Sequence, residues 1–246
     1  MTRDLWTMVW KEWKEIFLQR GTLRGGVFTA IAIPLGLLGI FIPWQEGPRW
    51  AESSTNSVVW IWLPVFLVAT MICESFAGER ERKTLETLLA SRLDDRTILF
   101  GKLAAAVGYG WGLAMSSLVL GLITVNVVHG HGPLILLPAA TVLLVATFSL
   151  LASTLAASAG VLISLRASTV RQAQQTLSLS LLGLMFGGLF GIQALPTTWK
   201  MWLARTLSGA TLLTTELVGG ALLLALDLLV ISIAVARFQR ARLILD

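Results

Sequence analysis

The chain alternates between long apolar runs and short polar links, and the run lengths predict helices that cross a membrane. About 20 apolar residues span ~30 Å of hydrocarbon as a helix. Six runs approach or exceed that length: 25–44, 58–77, 103–128, 134–165, 176–194 and 217–238. The fourth is too long for one perpendicular crossing, so tilt, a kink after Pro138 or extension beyond the membrane has to absorb the excess. Ahead of the first run, residues 4–20 carry Trp6, Val9, Trp10, Trp13 and Phe17 at spacings of three and four, with Lys11, Glu12, Lys14 and Glu15 mostly opposite. That pattern predicts an interfacial amphipathic helix with its tryptophans at the headgroup level. Trp44, Trp50, Trp60 and Trp62 surround the link after the first run and predict an aromatic belt at one interface. The segment 195–216, broken by Pro196, Lys200 and Arg205, is too short to cross twice, and short re-entrant or interfacial helices are expected there.

Between the second and third runs lies a charged island. Glu79, Arg80, Glu81, Arg82 and Lys83 follow one another; Leu85, Leu88 and Leu89 then recur at helical spacing, with Glu86 on the other side. A charged connector with one apolar face, held between membrane segments, predicts a docking surface for a soluble partner. Asp95 is the expected helix cap after it.

Composition sharpens the class. Hydrophobic residues make up 55% and charged residues 13% of the 246, and mean hydropathy is +0.77. The expectation is an all-α polytopic membrane protein, a single domain over 1–246, with membrane lipid as its surroundings. The net charge of +5 belongs to links flanking apolar runs, and no basic patch carries interleaved stacking residues, so nucleic acid is excluded as a partner. With six spans, all of the 19 Lys and Arg except Arg49, Lys200 and Arg205 share one side with both termini and the island. The positive-inside rule places that side in the cytoplasm. The lone Cys73 excludes an internal disulfide and a cysteine metal cluster.

Small residues four apart predict close helix packing in the third run (Ala104, Gly108, Gly112, Ser116), the fourth (Ala152, Ala156 and Gly160, beside Ser149, Ser153 and Ala157) and the fifth (Gly183, Gly187, Gly191). The three glycines of the fifth are the candidate seam between two copies of the chain. Two acids inside runs, Glu74 and Asp227, are candidates for a pathway or a structural role; Asp227 is expected to bond a Ser or Thr on a neighbouring helix or to stay protonated. No catalytic constellation assembles. Gly101-Lys102 lacks the glycine pattern of a phosphate loop, and His129 and His131 stand in a link without carboxylates, where exposed imidazoles are expected. The chain itself is expected to bind no cofactor and no metal, and not to be an enzyme.

The stretch SFAGERERKTLETLL, followed by LFGK, resembles the cytoplasmic connector of ABC-2 type permeases, the membrane subunits of the second exporter type of ABC transporter. Six runs, an amphipathic N-terminus and a broken segment before the last run extend the resemblance over the whole chain. The departure is Arg92, where the family often has proline. The resemblance implies a multi-pass protein of a prokaryotic cytoplasmic membrane that moves a hydrophobic or amphipathic substrate outward. It implies two permeases, homodimeric or heterodimeric, working with two separate ATPase subunits that hold ATP and Mg. By position, Thr84, Leu85, Glu86, Leu88 and Leu89 would form the helix that couples to the ATPase within the loop 79–102, with Glu79, Arg80 and Glu81 at its membrane boundary. Pro196, Trp199 and Trp202 would belong to an outer gate. The alternatives are a permease subunit of a haem or cofactor-maturation system, or a membrane anchor or sensor that transports nothing.

Overall fold

A computed structural model describes residues 2–18, 26–84, 92–130, 132, 134–201 and 212–238. All regular structure among them is helical: α1 (Thr2–Leu18), α2 (Gly26–Gly36), α3 (Ile42–Glu46), α4 (Arg49–Glu52), α5 (Ser54–Glu81), α6 (Asp95–His129), α7 (Ala139–Ser164), α8 (Val170–Ala194) and α9 (Leu212–Arg237). Among the described residues, four stretches are long and apolar enough to cross a membrane: Asn56–Glu81, Asp95–His129, Ala139–Ser164 and Glu216–Arg237.

The first apolar run is not one uniform helix. Pro34 lies inside α2, and a π-helical turn, Leu37–Phe41, joins it to α3. The Gly39 carbonyl in that turn accepts a hydrogen bond from Thr124 Oγ1 of α6 at 2.8 Å. The fifth run forms the 25-residue helix α8, which opens on the polar sequence VRQAQQ. The excess length of the fourth run is absorbed at its start: 134–138 are not helical, and α7 begins only after Pro138. Asn126 replaces the missing helical partners, since its Nδ2 donates to the Ile135 carbonyl at 2.8 Å and its Oδ1 accepts from the Ile135 N–H at 2.9 Å.

The helices approach closely where side chains are small. A methyl group on Gly160 of α7 would overlap Ile72 of α5, and one on Gly110 of α6 would lie 2.5 Å from Val68. Ser149, Ser153, Ala156 and Ala157 are buried beside Gly160, as the spacing predicts. The third run differs from its prediction. Gly108 meets Trp13 of α1, but Ala104 and Ser116 are exposed and Gly112 faces open space, because α6 packs mainly through Gly101, Ala105, Ala106, Gly110 and Gly121. Gly183, Gly187 and Gly191 on α8 meet nothing within 4 Å.

The expected aromatic belt is half core. Trp50 and Trp60 are buried edge to face, centroids 6.2 Å apart, over Leu118, Val125 and Val145, whereas Trp44 stays exposed. The Trp50 indole fills the wedge that Gly121 leaves open beside Pro43. His129 is half-buried, its ring against Gly47, whose φ of +59° suits glycine. His131 lies outside the described residues.

Candidate functional site

The charged island ends α5, and the last turn of that helix is surrounded by neighbours. Successive helical residues point about 100° apart, so three in a row can reach three different helices. Glu79, Arg80 and Glu81 do so. Glu79 Oε1 accepts from Lys11 Nζ of α1 at 3.2 Å and pairs with Lys102 Nζ of α6 at 3.1 Å. An Arg80 guanidinium nitrogen donates to the Leu165 carbonyl, at the C-terminal end of α7, at 2.7 Å. Glu81 Oε2 accepts from the Val170 N–H, the first of α8, at 3.1 Å. A cation therefore meets a helix C-terminus and an anion a helix N-terminus, each satisfying backbone groups that the helix leaves unpaired.

The ionic centre is Lys102, whose side chain is 0% exposed. Its ammonium lies 2.8 Å from Glu12 Oε1 and 2.9 Å from both the carbonyl and the hydroxyl oxygen of Ser75. Ser75 Oγ donates in turn to Glu12 Oε2 at 2.7 Å, and the Phe76 ring centroid stands 5.3 Å from Nζ. Lys11 extends the cluster to Glu15 at 3.3 Å. Burial opposes the charge on Lys11, but Glu79, Glu12 and Glu15 outweigh it and hold its pKa above the ordinary lysine value. Three carboxylates around two ammonium groups give the cluster a formal charge near −1. Glu79 Oε2 is buried and has no hydrogen-bond partner among the described residues.

This arrangement changes the reading of α1. Its buried face is Met8, Val9 and Glu12, pressed on α6 where Gly101 admits Met8. Trp13 also faces α6, donating from Nε1 to the Ala105 carbonyl at 3.0 Å, while Trp6 and Trp10 are exposed. The apolar stripe predicted for α1 is thus divided between two surfaces, and Glu12, predicted on the polar side, is inside. The missed partners were Glu12, Ser75 and Lys102. Lys102 stands in LFGK, and a lysine directly after three apolar residues and a glycine was the available signal.

The connector leaves α5 through a defined turn. The Thr84 N–H bonds the Glu79 carbonyl at 2.9 Å and the Lys83 N–H the Arg80 carbonyl at 3.0 Å, a Schellman pair with Lys83 at φ +57°. Of the expected coupling residues, Thr84 is described and exposed; Leu85, Glu86, Leu88 and Leu89 lie outside the described residues. At the other root Asp94, not Asp95, occupies the N-cap of α6, without a side-chain hydrogen bond; Asp95 already has helical geometry in the first turn.

The remaining candidates are elsewhere. Glu74 is half-buried on α5, five residues ahead of Glu79. Asp227 is buried on the α9 face that also carries Ala234 and Phe238, ten residues from Arg237, about 15 Å along the helix. Among the described residues neither of its carboxylate oxygens has a hydrogen-bond partner, and the expected bond to a Ser or Thr is not seen there. Pro196 opens a helical segment at 197–201 on which Trp199 is exposed; Trp202 lies outside the described residues.

Comparison with curated proteins and with solved structures returned no match. The family model described as ABC-2 family transporter protein matches residues 28–207, a span that includes the island, its flanking helices and all of α7 and α8. With its membrane-crossing helices and its helix ends gathered around one charged connector, the chain belongs to the ABC-2 family of transporter proteins, as a multi-pass membrane permease subunit.

Proposed function

We propose that the chain is the pathway-forming subunit of an ABC exporter, driven by separate ATPase subunits that hold ATP and Mg, two permeases with two ATPases. The supporting observation is the clamp at the connector's two roots. Glu79 and Lys102 flank it in sequence, bond each other, and bond Glu12 and Lys11 of α1, while Arg80 and Glu81 hold the ends of α7 and α8. A force delivered to the segment 85–91 reaches these helices together. In this reading Thr84, Leu85, Glu86, Leu88 and Leu89 contact the ATPase, and ATP-driven closure of the ATPase pair displaces the connector as a rigid body.

Six crossings with both termini in the cytoplasm place the clamp inside, following the distribution of Lys and Arg. Trp6 and Trp10, exposed on α1, then meet the inner headgroup region. Trp199 and Trp202 meet the outer one, and Pro196 belongs to an outer gate. The uncovered glycine face of α8 offers a contact for a second permease. Asp227 is retained protonated within the bundle. The largely apolar spans favour a hydrophobic or amphipathic substrate.

The test is co-purification of the partner ATPase with the Leu85→Glu/Leu88→Glu variant. Loss of the ATPase, with the permease still folded, is expected; undiminished recovery refutes the coupling assignment. The isolated chain is expected to show no ATP turnover above background.

A further inference from the structure

A cavity of about 380 Å³ opens at the charged end, where α8 and α9 both pack on α7 and leave a gap between them. Its lining places an arginine at or just past the end of each of two helices, with an apolar residue four positions before it. On α9, Ile233 and Arg237 share a helix face, with about 5–6 Å of depth between them. Arg166 stands in the turn two residues beyond the end of α7, and Leu162 in the last turn of that helix. On α8, Gln172 and Thr176 add polar groups at the same spacing. Both arginines are exposed, and among the described residues neither has a carboxylate partner.

We infer that this cavity binds the headgroup of an anionic phospholipid. Two arginines lining one gap, neither with a carboxylate partner among the described residues, match the phosphate in charge and in the donors a guanidinium offers. The apolar turn beneath each arginine matches the start of the acyl chains, which a free phosphate lacks. Basic pockets between membrane helices at the cytoplasmic boundary recognise anionic headgroups in this way. The site shares no residue with the Lys102 clamp and stands whether or not the chain transports anything. Arg166 follows Leu165, whose carbonyl Arg80 holds, so an occupied cavity borders the clamp without entering it.

The experiment is native mass spectrometry of the full chain in detergent, with a phosphatidylglycerol or a phosphatidylcholine of identical acyl chains added at equal concentration. Phosphatidylglycerol is expected to be retained preferentially. A basic residue near the surface contributes about fivefold in affinity, so Arg166→Ala/Arg237→Ala is expected to weaken retention by roughly thirtyfold. The matched loss of two exposed arginines outside the cavity, Arg96→Ala/Arg171→Ala, is expected to leave it unchanged. If the first double variant does not fold, Arg166→Gln and Arg237→Gln singly are each expected to weaken retention about fivefold. Equal retention of the two lipids, equal loss in both variant pairs, or displacement of the lipid by millimolar inorganic phosphate overturns the assignment, the last in favour of a free-anion site.

Discussion

Replacing Lys102 by Met removes the ammonium at the centre of the clamp while keeping most of the side-chain volume. Glu12, 5% exposed, and Glu79, 12% exposed, would then face each other without their shared cation. Lys11, 39% exposed, is the one ammonium left in the cluster, and it stands 3.9 Å from Glu12. Breaking a buried pair by deleting one partner costs about 3–5 kcal/mol, chiefly because a desolvated charge is left behind. For a chain of this length each kcal/mol shifts the unfolding temperature by about 2–4 °C. The expected fall is therefore about 6–20 °C, followed by tryptophan fluorescence in detergent. Adding Glu12→Gln removes one of the stranded charges, so Lys102→Met/Glu12→Gln is expected to recover about 1–3 kcal/mol relative to additivity. A Lys102→Met protein that melts within about 1 °C of the parent refutes the clamp as a buried ionic centre. Additivity within about 0.5 kcal/mol refutes the pairing of Lys102 with Glu12.

Lys83 adopts a left-handed conformation that costs a side-chain-bearing residue about 1 kcal/mol; Lys83→Gly is expected to raise the unfolding temperature by about 2–4 °C, and a lower value refutes the strain. Gly160→Leu forces a side chain into Ile72 and is expected to abolish folded yield, whereas Gly187→Leu, which faces open space, is expected to leave the isolated chain's melting temperature unchanged. Size-exclusion chromatography of the same two proteins checks that yield. The raised pKa of Lys11 fixes the sign of its pH effect: its stabilisation is fully present below about 10.4 and is lost as pH rises through the higher folded value. Melting temperatures of the parent and of Lys11→Met are therefore expected to differ by a constant amount from pH 6 to 9, and a difference that shrinks within that range refutes the assignment.

Hydropathy made the membrane class and most helix positions legible, because run length and polar punctuation are properties of the chain alone. The island was legible for the same reason: nothing else in the sequence places five charged residues together, Glu79 to Lys83. What it bonds to was not. Glu12 reads as polar-face by periodicity, and only the packing of α1 on α6 turns it inward. Lys102 reads as one more basic residue of a charged link, and its burial depends on α6 beginning at Asp95, eight residues before the apolar run. Trp50 and Trp60 fit a belt as well as a core, since an indole suits both. Choosing between them required Gly121, on another helix, to leave room for Trp50, against which Trp60 then packs edge to face. Of the stripe Ala104, Gly108, Gly112 and Ser116 only Gly108 meets a neighbour, Trp13 of α1, because α6 is rich in small residues and spacing alone does not say which row faces a helix.

One unbroken helix connects the two ends of the bundle. From Asp95 to His129, α6 holds 35 residues, about 52 Å of rod. Its tightest approach to α5 is at Gly110, where Val68 and the Pro64 carbonyl leave no room for a side chain. That point divides the rod almost evenly, with Asp95 about 22 Å to one side and Asn126 about 24 Å to the other. A stiff bar with a central fulcrum reverses motion. A tilt of about 5° there carries Asp95 roughly 2 Å one way and Asn126, with the segment around Ile135 that it grips, roughly 2 Å the other. Opposed displacement of the two ends is then a matter of leverage.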